Sequence, residues 1–486
     1  MGRIRTVGVI GGGVSGLTAG ALLSRQGVRV KLFEANDKPG GCCATTNIGG
    51  YTFNDGAVYL CLPGILDRVF ERLDLDRRSI LSLRKVTAYQ TTLPDGTVVS
   101  IGGKIKVKVN KRVEQVDTVR LQRELKIMLK KWEPVFRLYE DDIFTHPFSL
   151  SRLIPKLLPH LHKFHGTVAS EIATLFSDQA VRAAMTGALL YITGMPPQKT
   201  PVMLILAVIA LLSEGFYLPE GGMGKIPETL SQCLKNNGGE IFLNSKVNKI
   251  LVKNGVVYGL EIDGQGRVEV DAVLSTVSGM ATFRSLLNAD DLPRGMRRKV
   301  QKAPLSHKAL SIQLGLSNVI DGCSHSNSIL PMMDEQSKFF IPKRDEVKWF
   351  VYFVPTVTMP QLASRGGSII EMFPAIRQDI PANDWDEQKT GKTVESALQA
   401  LSRLHNIHIA VKRVLSPKDF QASMHLYKGA IYGLSAAADF RAHFPHASGV
   451  PRLYQAGQTT YPGYGVAPAA MSGIFAAETL MKMENI

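Results

Sequence analysis

Residues 7–21 read Val7-Gly8-Val9-Ile10-Gly11-Gly12-Gly13-Val14-Ser15-Gly16-Leu17-Thr18-Ala19-Gly20-Ala21. This apolar run ends in Gly-x-Gly-x-x-Gly and passes directly into small residues, which predicts a strand, a tight turn and a helix. Gly11 suits the turn, Gly13 leaves room for phosphates beside the backbone, and Gly16 allows the helix to pack onto the strand. The first N–H groups of a helix have no partner within it, so they would face the anion. The stretch therefore predicts a dinucleotide site.

The residues after this helix decide between a dinucleotide site and a glycine-rich turn that only reverses the chain. Residues 28–34 read Val-Arg-Val-Lys-Leu-Phe-Glu, which predicts a second strand ending on the carboxylate of Glu34. An acidic residue at this spacing receives the ribose hydroxyls of a bound dinucleotide. Strand, turn, helix, second strand and carboxylate all agree, and they favour an α/β fold with a Rossmann-like domain.

Two further stretches identify the dinucleotide. The first follows Glu34 and contains Gly40-Gly41-Cys42-Cys43 and Phe53-Asn54-Asp55-Gly56. The second, residues 453–468, reads Leu-Tyr-Gln-Ala-Gly-Gln-Thr-Thr-Tyr-Pro-Gly-Tyr-Gly-Val-Ala-Pro. Together they resemble the flavin-binding amine oxidase superfamily, and within it the group of phytoene desaturases, carotenoid isomerases and retinol saturases. Cys42 stands where most members have arginine, Asn54 where they have aspartate, and Gln458 where many have an acid or alanine.

The resemblance implies that FAD is the cofactor and that the carboxy-terminal stretch covers the flavin ring. It also implies that Val247 holds the adenine end through its backbone. The residues that it places at the cofactor are Gly11, Gly13, Val14, Ser15, Gly16, Glu34, Ala35, Gly41, Cys42, Gly56, Val247, Gly457, Gln458, Gly465 and Val466. No side chain in the sequence stands out as a general base, so catalytic residues are not assigned.

A further implication of the resemblance is that an inserted α+β substrate domain interrupts the Rossmann-like FAD-binding domain. Residues 88–101 predict a hairpin around Asp95-Gly96, where the second domain begins. Residues 217–227 resemble the stretch that returns the family's chain to its cofactor domain. We therefore expect residues 1–85, 216–290 and 416–486 in the FAD-binding domain, and residues 86–215 and 291–415 in the substrate domain.

A second dinucleotide loop is not found in the sequence. Gly264 and Gly266 lie in a predicted turn between two strands, residues 256–262 and 267–270, rather than between a strand and a helix. Flavoenzymes that bind NAD(P)H in a dedicated second Rossmann unit carry a second copy of the motif. We therefore expect electrons to enter or leave through a diffusing partner such as a quinone, oxygen or another redox protein.

The formal net charge of +15 predicts an anionic partner. Nucleic acid is not favoured, because the sequence carries no finger, homeodomain-like or RNA-binding signature. Two basic and apolar segments, residues 104–132 and 148–164, instead favour an anionic membrane surface over an ordinary solvated face. The longest strongly apolar run, residues 202–212, is too short to span a bilayer. A protein that is peripheral to the membrane is expected.

The cysteines are five in number and show no C-x-x-C pairing: Cys42, Cys43, Cys61, Cys233 and Cys323. This pattern favours free thiols in a reducing compartment, and no metal site is predicted. The first strand starts within a few residues of Met1, which leaves no room for a signal peptide. We therefore expect a cytoplasmic location.

These observations predict an FAD-dependent oxidoreductase of the phytoene desaturase type, which dehydrogenates a long isoprenoid or carotenoid. In such a reaction the flavin accepts a hydride from an allylic carbon, and the protein supplies orientation and an apolar tunnel. A carotenoid or retinoid saturase, suggested by Gly41-Cys42-Cys43, and a cis-trans isomerase are alternatives in the same superfamily. A non-catalytic prenyl-lipid escort protein is an alternative of another class, against which the intact glycine motif and Glu34 argue.

Overall fold

A parallel sheet carries the strand, turn and helix predicted from residues 7–21. The computed structural model describes residues 4–86, 88–102, 106–111, 114–342 and 346–486. In this part of the chain the strands of the parallel sheet lie in the order Glu240–Phe242, Arg29–Phe33, Thr6–Ile10, Ala272–Ser275 and Leu453–Gln455. The strand before the glycine turn, Thr6–Ile10, is central, and the last strand comes from near the end of the chain. Ligands bind outside the carboxyl edge of such sheets.

Three helices cover this parallel sheet or pack beside it. The first helix, Val14–Arg25, packs along the last helix, Val466–Glu484, and against the helix Lys225–Asn236. All but one residue of the first helix are buried, as its small and apolar residues require for close packing. The amino-terminal motif is therefore held in place by the carboxy-terminal element.

A larger mixed sheet forms the second half of the molecule. Its strands lie in the order Ile409–Leu415, Ser311–Leu316, Ser368–Pro374, Phe350–Phe353, Ser326–Ile329, Tyr89–Thr92, Val98–Gly102 and Lys106–Asn110. Successive side chains of a strand face opposite sides of a sheet. Ile370 and Met372 pack towards the helix Glu387–Ser402, whereas Phe373 packs on the other side with Val58. The second side faces the cofactor segments, and Glu371 shares it.

Smaller sheets are present besides these two large ones. An antiparallel sheet contains Val247–Lys253, Val256–Ile262 and Gly266–Glu269, and two-stranded ladders pair Thr45–Ile48 with Tyr51–Asn54 and Leu83–Lys85 with Tyr217–Pro219. The predicted turn at Gly264 connects two antiparallel strands, as does the predicted turn at Asp95-Gly96. Neither turn leads into a helix.

Helices account for most of the region between residues 118 and 213. The longer helices beyond those already given are Pro63–Arg72, Thr118–Leu138, Leu150–Leu157, Val168–Leu175, Gln179–Thr193, Leu206–Ser213, Met296–Lys302, Met333–Phe339 and Pro417–Ser423. The apolar stripe of Thr118–Leu138, which was expected to mark a membrane surface, is core instead, since Leu125, Met128 and Trp132 are fully buried. Helical periodicity alone cannot tell a core-facing stripe from a lipid-facing one.

This arrangement confirms the predicted fold class, a Rossmann-like α/β domain with a second mixed domain. The domain boundaries themselves remain a prediction. Met296 and Val300, beyond the expected boundary at residue 290, pack with Ile10 and Phe33 of the parallel sheet. The described part of the chain contains no helix that is both long and apolar enough to cross a bilayer.

Candidate active site

The Gly-x-Gly-x-x-Gly turn has the backbone geometry that its motif requires. Gly11 has a φ of +97°, which glycine adopts without strain, and its N–H donates to the backbone oxygen of Phe33 (2.9 Å). A Cβ on Gly16 would collide with the Gly11 carbonyl oxygen, so the helix packs tightly against the turn. A Cβ on Gly13 would meet no atom within 4 Å. Open space therefore lies in front of the helix that begins at Val14, where a pyrophosphate would approach.

Glu34 closes the other side of this turn. Its buried carboxylate accepts a hydrogen bond from the backbone N–H of Gly12 (2.6 Å). The N–H of Ser245 donates to the backbone oxygen of Glu34 (2.7 Å), which brings the strand beginning at Val247 to the same place. Glu34, its neighbour Ala35 and Val247 are thus brought together at one end of the turn. The resemblance places ribose and adenine there.

Gly41 and Cys42 lie directly beside the turn. A Cβ on Gly41 would come within 3.5 Å of the Gly13 Cα, and one on Gly56 would lie 2.8 Å from the Cys42 carbonyl oxygen. Burial raises the pKa of the Cys42 thiol to about 11, so the thiol is neutral. Cys42 therefore contributes shape and packing where the family usually has an arginine.

The two ends of the chain meet at the same turn. A Cβ on Gly457 would lie 3.5 Å from the Ser15 Oγ, and one on Gly473 would collide with the backbone oxygen of Ser15. Gly465, with a φ of +105°, immediately precedes the last helix, which begins at Val466. These contacts leave open the space that Gly13 faces. The residues present fit the diphosphate of a flavin dinucleotide.

Aromatic side chains line an internal cavity between these two ends. Its members lie deep inside the molecule, where burial shifts the pKa of each, yet each keeps some accessible surface: Cys42, Tyr59, Cys61, Tyr191, His307, Tyr432 and Tyr464. Deep side chains with accessible surface must face an interior space. The Tyr432 and Tyr464 rings stack with centroids 4.6 Å apart, and Gln458 lies against the neighbouring Gly433. The cavity thus reaches from Cys42 to the carboxy-terminal stretch.

A buried polar cluster fixes the amino-terminal stretch onto the larger sheet. The backbone N–H of Asn54 donates to Glu371 Oε1 (2.5 Å), and Asn54 Nδ2 donates to Glu371 Oε2 (3.2 Å). Asn54 Oδ1 accepts from the N–H of Met223 (2.9 Å), which sets the orientation of the amide. Beside it, Arg413 donates to Asp55 (2.5 Å). Burial outweighs these hydrogen bonds and raises the pKa of Glu371 to about 8.

A protein-family model described as "Flavin containing amine oxidoreductase" matches residues 14–481. The chain belongs to this family. Its cofactor is FAD and it is an oxidoreductase, which confirms the predicted cofactor and enzyme class. The family match does not test the individual cofactor contacts, which remain predictions.

Relatives of this family member span its full length. It is 22% identical to the 4,4'-diapophytoene desaturase (4,4'-diapolycopene-forming) of a Methylomonas species, over 100% of this chain and 97% of the relative. It is 25% identical to the zeta-carotene-forming phytoene desaturase of Myxococcus xanthus, over 98% and 94% of the two chains. Among solved structures, an oxidoreductase from Methanosarcina mazei has a TM-score of 0.65 at 17% identity, covering 98% of this chain and 100% of its own. A putrescine oxidase variant has a TM-score of 0.66 at 14% identity, with 99% of both chains covered.

Several residues of the flavoenzyme's cavity were not predicted as site residues. Tyr191 lies on a helix of the inserted region, and Glu371, which is buried beside the cavity, lies on the strand Ser368–Pro374 of the larger sheet. His307, which no motif of the sequence marks, also lines the cavity. The sequence carried no signal for Tyr191 or Glu371, because their place depends on long-range pairing. Tyr432 and Tyr464 lie within or next to stretches that the resemblance had marked.

Proposed function

We propose that this flavoenzyme is an FAD-dependent desaturase that removes hydrogen from a long isoprenoid or carotenoid. The observation that carries the proposal is the deep cavity, whose lining is dominated by tyrosine rings and which runs between the two cofactor stretches. Aromatic faces suit a flat polyene, since they supply apolar contact and stacking. The names of the full-length relatives, which are phytoene and diapophytoene desaturases, support the same substrate class.

The side chains of the site bind, orient and exclude water. The open space at Gly13 and the N–H groups of the first helix receive the diphosphate, and Glu34 receives the ribose. FAD, when bound, supplies the two-electron oxidant that takes a hydride from an allylic carbon. Burial raises the pKa of the Tyr191 and Tyr432 hydroxyls, so both stay neutral beside an apolar substrate. We propose a quinone or oxygen as the electron acceptor.

Anaerobic spectroscopy tests this function directly. Mixing the yellow enzyme with an unsaturated C30 or C40 isoprenoid is expected to bleach the flavin band and to yield a product with two fewer hydrogens per bleached flavin. A fully saturated isoprenoid of equal length has no allylic hydrogen and is the matched control. A saturase would instead add hydrogen after prior reduction, and an isomerase would change geometry with no net bleaching. Protein that takes up no FAD at all would point to the lipid escort.

We further propose that the enzyme lies peripherally on an anionic membrane, on its cytoplasmic side. An apolar patch supports this, formed by side chains that are 38–61% exposed: Phe148, Leu150, Ile154, Leu158, Leu161 and Phe440. Most belong to the short helix Leu150–Leu157 and the 3₁₀ turn Leu158–Lys163. The rings of Phe148 and Phe440 stack with centroids 4.9 Å apart, so the patch continues onto the carboxy-terminal region. Apolar side chains grouped in this way mark an interaction surface.

Basic side chains border this patch. Lys163 Nζ donates to the backbone oxygen of Lys131 (2.8 Å), so the patch segment lies against the helix Thr118–Leu138. The exposed side of that helix carries Arg123, Lys126 and Lys130. Lys104 and Arg112, which also belong to the predicted basic segment, lie outside the described residues. Each cation near an anionic surface contributes about 1 kcal/mol, which high salt removes.

Vesicle pelleting tests the membrane surface. The wild-type protein is expected to pellet with vesicles of anionic lipid at low salt and to be released at high salt. The double variant Ile154→Glu/Leu158→Glu removes two exposed apolar anchors and adds two negative charges, so we expect bound protein to fall at least about tenfold. Val319→Glu, at a side chain that is 58% exposed outside the patch, is the matched control and should pellet like the wild type. Pelleting that ignores lipid charge and salt would contradict the proposal.

A further inference from the structure

His307 is a buried titratable group for which the fold provides a dedicated place. Its imidazole makes edge-to-face contacts with Tyr191 (centroids 6.5 Å apart) and Tyr432 (5.5 Å). Gly194 caps the helix Gln179–Thr193 with a φ of +62°, and a Cβ there would collide with the His307 Nδ1. Nδ1 is buried and has no hydrogen-bond partner among the described residues. The opposite ring edge, with Cδ2 and Nε2, therefore points away from Gly194.

We propose that His307 Nε2 is the base that takes a proton from the substrate during desaturation. The inference rests on the proposed desaturase function and adds the residue that completes it. Loss of a hydride from an allylic carbon leaves a cation on the polyene, and the neighbouring carbon must then release a proton to form the double bond. A base within reach of that carbon typically raises the rate 100-fold or more, by about two to four orders of magnitude.

The other titratable groups in the cavity, and Glu371 beside it, are poorer proton acceptors. Burial raises the pKa of the Cys42 thiol and of the Tyr191 and Tyr432 hydroxyls, so these groups carry their protons. Glu371 already accepts two hydrogen bonds from Asn54, and burial keeps its carboxyl protonated to about pH 8. Burial and the charge of Lys308 lower the pKa of His307 to about 4, so the imidazole is neutral with a free lone pair.

A low pKa suits this task. The hydrogen next to a carbocation is very acidic, so even a weak base can accept it, and the resulting imidazolium releases its proton readily. Bound FAD would supply the two-electron oxidant and take up the hydride of one C–H bond. The adjacent C–H bond yields a proton to His307 Nε2, and its electron pair forms the new C=C bond. Tyr191 and Tyr432 carry no competing charge, and a ring face turned towards the cation would stabilise it.

Single-turnover flavin reduction with a selectively deuterated polyene is the test. The hydride can return from the reduced flavin to the cation until the proton is lost, so net bleaching depends on the base. We therefore expect His307→Phe, which keeps the ring but lacks the nitrogens, to slow flavin bleaching at least about 100-fold. Deuterium on the proton-losing carbon should have little effect in the wild type and a large isotope effect in His307→Phe, because proton loss becomes rate-limiting. In His307→Ala, added imidazole should restore part of the rate. A merely structural histidine would show neither the isotope effect nor the rescue.

Two measurements that do not depend on turnover accompany these rates. The flavin content and the polyene affinity of the apoprotein, followed by tyrosine fluorescence, should match the wild type in His307→Phe. Nitrogen NMR of the wild type should show a neutral His307 down to about pH 4 and a shifted Nε2 signal when a polyene is added. His405→Gln is the matched control, since His405 is half-buried and pairs with the Tyr352 hydroxyl (2.8 Å) outside the cavity.

The outcomes separate the two proposals. If none of the tested polyenes bleaches the flavin of the wild-type protein, the desaturase function and this inference are both overturned. Wild-type bleaching with an equal rate and isotope pattern in His307→Phe overturns the inference alone. Loss of flavin or of polyene affinity in both His307→Phe and His307→Ala would assign His307 to packing and also overturn it.

Discussion

Replacing Gly13 by alanine is expected to give a folded protein that no longer holds FAD. A methyl group at Gly13 meets no protein atom within 4 Å, and its backbone angles, φ −72° and ψ 174°, are open to any residue. The apoprotein should therefore keep its melting temperature. The methyl group would nevertheless occupy the space that the diphosphate needs at the helix start. We expect the FAD affinity to fall at least about 100-fold, or about 2.7 kcal/mol, measured by titration calorimetry and by the flavin absorbance of purified protein.

Two other glycines provide the controls for this experiment. Gly391→Ala adds a methyl group in equally open space on the exposed helix Glu387–Ser402. It should leave FAD binding unchanged and should not lower the free energy of unfolding. Gly16→Ala should behave differently again, because its Cβ would collide with the Gly11 carbonyl oxygen and disturb the turn itself. It is expected to lose both stability and flavin. A Gly13→Ala protein that stays fully yellow would show that the diphosphate binds elsewhere.

The parts of the fold that the sequence predicted are those that local rules determine. The strand, turn and helix of residues 7–21 depend on glycine conformation and on apolar runs, which can be read within about twenty residues. The same holds for the hairpins at Asp95-Gly96 and Gly264. The meeting of the chain's two ends followed from the family resemblance, and the contacts of Gly457 and Gly473 with Ser15 are its structural counterpart.

The cavity could not be predicted, because it depends on which distant strands pair. Glu371 lies on a strand between Ser311–Leu316 and Phe350–Phe353, and no periodicity fixes that order. The same uncertainty affected the helix Thr118–Leu138, whose apolar stripe fits a core as well as a membrane. His307 lies outside every motif, so the sequence carries no signal for its role. Only the approach of Gly194, Tyr191 and Tyr432 gives it a place at the cavity.

The asparagine at position 54, where the family has aspartate, is explained by its partner. Asn54 uses Oδ1 for the N–H of Met223, so its Nδ2 must face Glu371 Oε2. Both side chains are buried, with 1% of Asn54 and none of Glu371 exposed. An aspartate would replace the Nδ2 donor by a second carboxyl oxygen about 3.2 Å from Glu371 Oε2, so two buried carboxyls would have to share the one proton that Glu371 holds.

Asn54→Asp is therefore expected to cost about 3 kcal/mol or more in the free energy of unfolding at neutral pH, measured by chemical denaturation. The sign of the pH dependence follows from Glu371, whose pKa rises from 4.5 to about 8 on folding. Between these two pH values the folded state keeps a proton that the unfolded state has lost. The contribution of Glu371 to the free energy of unfolding is therefore complete below about pH 4.5 and declines as the pH rises towards 8. A second carboxyl, with Asp55 also nearby, steepens this decline.

Adding Glu371→Gln to Asn54→Asp should restore most of the lost stability, because the new amide can donate to the carboxylate at position 54. It should also flatten the pH dependence. If the double variant is no more stable than Asn54→Asp alone, the two side chains are not coupled and this account of position 54 is wrong.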